Sequence, residues 1–134
     1  MTTENEKKNI AEELGRSGVC LEEAGVLRKE GLYSGAVSRM YYAVLHGVRA
    51  LLLSKGLEPK SHEGALRLLS MHFVKEGRMD REVSRIFARL MKFREEADYN
   101  ASFDFAEKDC VEFGREADLL LANIKEYLGK QNLL

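Results

Sequence analysis

Apolar residues return every three or four positions through most of this chain, which is the period of helices and not of strands. Five segments carry that period. The first covers residues 3–30 and puts Ile10, Leu14, Leu21 and Ala24 on one face. Gly15, Gly18 and Gly25 weaken it as an isolated helix and are expected to admit a close neighbouring helix, so its stability should come from packing. The second covers residues 32–55, with Ser34 or Gly31 expected to start it and Gly56 to stop it. The third covers residues 61–75, with Ser61 as N-cap, a face of Leu66, Leu69 and Phe73, and Gly77 at its end. The fourth covers residues 80–99, capped by Asp80, with Val83, Ile86, Phe87, Leu90 and Ala97 on one side. The fifth covers residues 104–129. It opens on Asp104 and Glu107, a capping-box pattern, and carries a stripe from Ala106 to Leu128. A single proline and the absence of an internal repeat complete the picture. The expected fold is all-α: one domain over residues 1–134, an up-and-down helical bundle of four main helices plus a short extra helix.

Composition narrows the function classes. Hydrophobic residues make up 45% and charged residues 32%, as in a globular domain. With 21 basic and 22 acidic residues the net charge is −1, so no overall field draws the chain to nucleic acid or anionic lipid. Contact with nucleic acid has to come from a local patch. Cys20 and Cys110 fit no metal-ligand spacing and read as reduced core thiols. The polar start MTTENEKKN does not read as a signal peptide, and no apolar run approaches the ~20 residues that span a bilayer. A cytoplasmic protein with no membrane contact is expected. No carboxylate is spaced to complete a metal site with His62 and His72, so no metal and no cofactor are expected.

Two helices carry polar residues where helix periodicity does not require them. In the second, Val37, Met40, Tyr41, Val44, Val48, Leu51 and Leu52 form the core face. Arg39, Tyr42, His46 and Arg49 stack along the opposite side at steps of three and four, flanked by Gly35, Ala36, Ala43 and Ala50. Small neighbours point to a face packed against something: another helix, a second subunit or a ligand. In the fourth, Arg85, Arg89, Lys92, Glu95 and Glu96 form a face expected to be solvated. Arg94 instead projects among Val83, Phe87, Leu90 and Ala97. A guanidinium there needs a partner, and Asp98 one turn on is the nearest candidate, with a second partner expected from elsewhere.

The stretch SRMYYAVLHGVRALLLSKGLEPKSHEGALRLL, then HFVKEG, then MKFREEADYN resembles the HEPN superfamily (higher eukaryotes and prokaryotes nucleotide-binding), in its small single-domain prokaryotic branch, over residues 5–128. The resemblance implies a homodimer, often encoded beside a minimal nucleotidyltransferase, and in several cases a toxin–antitoxin pair. Active relatives are metal-independent ribonucleases with an Arg followed at short spacing by a His. The motif Arg maps onto Arg94, but the His places are held by Tyr99, Asn100 or Ala101. A tyrosine is a poor general base at neutral pH, so the reading leans away from an enzyme. Arg39 and His46, six residues between them, are the alternative catalytic candidates. In some related pairs a nearby tyrosine receives nucleotides from the partner, which makes Tyr99 a residue to inspect.

The reading that follows is a HEPN-type binding protein, a homodimer that pairs with a minimal nucleotidyltransferase and contacts nucleotide or RNA. Arg39, Tyr42, His46, Arg49, Arg94, Asp98 and Tyr99 would form its binding site or interface. The alternatives are a metal-independent endoribonuclease toxin and a purely structural dimer.

Overall fold

A computed structural model of the chain describes residues 3–134. Five α-helices are present and no strand occurs among the described residues: α1 (Glu4–Lys29), α2 (Tyr33–Leu53), α3 (His62–Leu69), α4 (Arg81–Tyr99) and α5 (Glu107–Lys130). The all-α bundle with one short helix is therefore observed. No helix among the described residues is long and apolar enough to cross a membrane.

Helix ends follow local chemistry. Thr3 and Glu6 close a reciprocal capping box at the start of α1. Ser61 accepts from the Gly64 amide at 2.9 Å, and Asp80 from the Glu82 amide at 2.9 Å, as expected. Gly56, with φ 69°, stops α2, and the Leu57 amide folds back onto the Leu52 carbonyl at 3.0 Å.

Three expectations about where helices start and stay regular need correction. Gly31 does not start α2. It ends α1 with φ 76°, while α2 begins after Leu32 with no side-chain cap. The fifth helix opens at Ala106, whose amide donates to Asp109 at 2.8 Å, so neither Asp104 nor Glu107 makes the capping box. The third segment is not one α-helix. After Leu69 it widens into a π-turn over Ser70–Val74, in which the Lys75 amide reaches the Ser70 carbonyl at 2.9 Å. Lys55 from the end of α2 holds this turn: it donates to the His72 carbonyl at 2.8 Å and lies 5.0 Å from the Phe73 ring.

α2 is the central element, buried nearly all round and packed against α1, α4 and α5. Its small residues explain how. A Cβ on Gly47 would overlap Leu121 of α5, and one on Gly35 would lie 3.3 Å from Leu27 of α1. The α1 glycines behave differently from expectation. A Cβ at Gly15, Gly18 or Gly25 meets nothing within 4 Å, so these positions face open space and not a neighbouring helix.

The side of α1 that does meet α2 runs Ile10, Glu13, Ser17, Cys20 and Ala24, again in steps of three and four. Ser17 donates to the Ala43 carbonyl at 2.8 Å in the buried seam. Cys20 and Cys110 are both buried free thiols.

Candidate functional site

Two residues of the α2 polar stripe, His46 and Arg39, meet carboxylates of α1. His46 Nδ1 lies 2.7 Å from Glu13 Oε2, and Arg39 lies 3.6 Å from Glu23. Arg39 also sits 4.8 Å over the Tyr42 ring. The two candidate catalytic residues are thus each engaged by a carboxylate of α1, and they hold two helices together. Arg49 goes elsewhere. It lines a cleft of about 390 Å³ with Asn9, Glu12, Glu13, Leu53, Leu57, Glu58 and Pro59.

Arg94 occupies a different and more unusual place. It is 8% exposed, although it carries a permanent charge. Its Nη1 stands 3.6 Å from Asp98, the pair expected from the sequence. The second partner is His62, whose Nδ1 is 3.4 Å from Arg94 Nη2. The guanidinium also lies 5.1 Å from the Tyr41 ring centre and 6.0 Å from that of Tyr99. Both polar contacts are long for a charge-assisted hydrogen bond, which prefers about 2.7–2.9 Å. Arg94 Nε is buried with no hydrogen-bond partner in the fold.

Tyr41 forms the floor. It is fully buried and stacks on Phe87 at 5.9 Å, with Tyr42 at 5.2 Å and His62 at 5.5 Å. Its hydroxyl is a second buried polar group without a partner. Burial pushes that phenol well above its ordinary value, against the opposing pull of Arg94, so it stays protonated. Tyr99 stands at the rim, 79% exposed, an aromatic ring of the kind that stacks on a base.

His62 is the residue that helix periodicity does not find. It is the first residue of α3, just after the Ser61 cap, where it reads as part of a helix start. The tertiary fold carries it onto Arg94, 32 residues away. The one sequence signal for it is its place in the PKSHEG block that carries the family resemblance. Burial pushes the His62 imidazole below the usual histidine value, and the charges of Arg94 and Arg49 push the same way, with Glu63 opposing. A neutral imidazole therefore sits beside a permanent cation. A guanidinium is donor-only, so the His62 nitrogen facing it is the unprotonated one.

The fourth helix's outer face is less solvated than expected. Arg89 leans onto α5, 2.9 Å from Glu112 and 4.8 Å from the Phe113 ring. Among the described residues no group of three or more His, Cys, Asp or Glu side chains is arranged to hold a metal ion.

Of the expected site residues, the structure gathers Arg94, Asp98, Tyr42 and Tyr99 around Tyr41 and His62. Arg39 and His46 belong to the α1–α2 seam. Arg49 is between the two groups, its charge felt at both His62 and Tyr41.

Known proteins are similar to this chain over most of its length. A "UPF0332 protein" of Thermotoga maritima is 34% identical over 125 residues, covering 92% of this chain and 95% of that protein. Two proteins of Methanocaldococcus jannaschii bear the names "Putative toxin MJ0142" and "Putative toxin MJ0605". The first is 29% identical over 96% of this chain and 87% of its own length. The second is 35% identical over 81% and 80%. The HEPN domain family matches residues 11–127, a span that runs from the Glu13 contact of α1 through the Arg94 pocket and along α5. With the family matching most of the chain and a relative 34% identical over 92% of it, this chain belongs to the HEPN family.

Proposed function

We propose that this chain is a HEPN-type binding protein whose Arg94 pocket takes a phosphate group of a nucleotide or RNA. In this reading it acts as a homodimer paired with a minimal nucleotidyltransferase. One observation carries the reading: Arg94 Nε and the Tyr41 hydroxyl are two buried donors without an acceptor, on side chains that pack together with the guanidinium 5.1 Å from the Tyr41 ring centre. Buried donors without partners are rare in native folds, and each raises the energy of the empty pocket. An oxyanion supplies acceptors to both. The guanidinium is suited to phosphate, and exposed Tyr99 is suited to an adjoining base. The names of the two Methanocaldococcus relatives support a place in a toxin–antitoxin pair.

Thermal denaturation with ATP, with inorganic phosphate and with a single-stranded RNA oligonucleotide tests the pocket, each at matched ionic strength. At least one should raise the melting temperature of the wild type and leave that of Arg94→Ala unmoved. No shift with any of them sinks the reading. Sedimentation of the purified protein, and co-purification with the product of a neighbouring nucleotidyltransferase gene, test the assembly. A monomer that retains no such partner refutes that half of it.

A further inference from the structure

We propose that the exposed face of α1 centred on Val19 is the seam of the homodimer, where a second copy of this chain packs its own α1 antiparallel. This rests on the homodimer of the proposed function and names the surface that makes it.

The argument begins with what α1 leaves uncovered. Its side toward α2 is buried through Ile10, Ser17, Cys20 and Ala24. Its outer side carries two large apolar residues in water, Val19 at 56% and Val26 at 62% exposure. Val19 borders two surface openings. One, of about 560 Å³, lies beside Gly15, Arg16 and His46. The other, of about 390 Å³, lies beside Glu23, Val26 and Arg39. Gly15 keeps the first opening shallow-walled, since nothing lies within 4 Å of where its Cβ would stand. A glycine inside a helix costs about 1 kcal/mol relative to alanine, so this hollow is held at an expense to the lone helix.

Charge decides what fits there. In an antiparallel pair with its twofold axis at Val19, residues equally far before and after Val19 come level with each other. Val26 then comes level with Glu12 and seats its side chain in the hollow over Gly15. Arg16 comes level with Glu22 and Glu23 of the second copy, and helical rotation puts it on the same side of the seam as Glu23. Lys8 comes level with Glu30. Lys8, Arg16, Glu23 and Glu30 are all exposed, and the twofold axis makes each of these opposite-charge pairs twice. A parallel pairing sets Arg16 beside Arg16 and Glu23 beside Glu23, like against like. The face is thus complementary to itself in one orientation. Arg39 and His46 border the two openings, so the second copy also covers what α1 leaves open of the α2 stripe.

Sedimentation of the full chain at low ionic strength tests the seam, with circular dichroism to confirm that each variant keeps its helices. The wild type should be a dimer. Arg16→Glu and Glu23→Arg should each weaken it roughly tenfold or more, because two exposed pairs turn from attractive to repulsive. Mixing the two single variants should restore the dimer, since each then meets an opposite charge across the seam. Val19→Cys should form a disulfide-linked dimer under mild oxidation, because its two copies meet at the axis. The wild type and Val26→Cys should not. A dimer that survives both charge reversals, or a mixture that fails to re-form one, overturns the seam and leaves the homodimer standing on another face. Cross-linking of Val26→Cys as fast as Val19→Cys overturns it likewise. A monomeric wild type removes both the seam and the homodimer.

Discussion

Tyr41→Phe separates the demands of stability from those of binding. The tyrosine is fully buried, its ring stacks on Phe87 at 5.9 Å, and its hydroxyl has no partner. Phenylalanine keeps the stack and removes only the hydroxyl. A buried polar group left unsatisfied costs about 1–3 kcal/mol, and part of that is offset by the small void left behind. The variant should therefore be more stable than the wild type by about 1 kcal/mol. For a domain of this size that is a rise of about 4 °C in melting temperature. The ligand-bound state should respond the other way. A hydrogen bond to a charged group contributes about 1.5–3 kcal/mol, so phosphate or RNA affinity should fall roughly 10- to 100-fold. Urea denaturation followed by circular dichroism gives the stability, and titration with a 2′-deoxy oligonucleotide gives the affinity. A variant destabilised by more than about 1 kcal/mol would mean that the hydroxyl is satisfied within the fold. Unchanged affinity would mean that it does not face the ligand.

Other perturbations follow from the same packing. Glu13→Ala removes the 2.7 Å partner of half-buried His46 and should destabilise the α1–α2 pair by about 1–3 kcal/mol in urea titration. Arg39→Ala should change stability by less than about 1 kcal/mol, because its 3.6 Å pair with Glu23 is long and partly solvated. Gly47→Ala forces Leu121 to move and should cost about 1–3 kcal/mol. Gly18→Ala faces open space and should stabilise by up to about 1 kcal/mol in the same assay. His62 titrates lower in the folded protein than in the unfolded chain, so below about pH 6.5 the unfolded state takes up more protons. Its contribution to stability is complete above that pH and declines as pH falls toward the depressed folded value. His62→Asn should flatten that part of the profile, seen as a smaller difference in urea midpoint between pH 7.5 and pH 5.

Much of the fold was legible because helix formation is local. The five segments were visible from period alone, and the Ser61 and Asp80 caps from residues within three positions. The misplaced Arg94 and its Asp98 partner were also visible, because one helical turn separates them. The glycines of α1 misled, since a small residue permits a close approach without requiring one. Gly47, inside the most apolar helix, is where the approach occurs. The Arg39–His46 pairing misled for a related reason. Residues on one helix face share a direction, but the helix packed against that face decides what they touch, and α1 presents Glu23 and Glu13.

The sequence by itself determined that this chain is a helical bundle with a covered polar stripe on α2 and a charged residue inside α4. Period, capping and burial preference act over a few residues and need no knowledge of the rest. Only the tertiary structure decided that Arg39 and His46 of the stripe meet α1, and that Tyr41, His62 and Arg94 come together from three helices. Those contacts span up to 53 residues of chain, and they depend on loop lengths and helix crossings that no local pattern encodes.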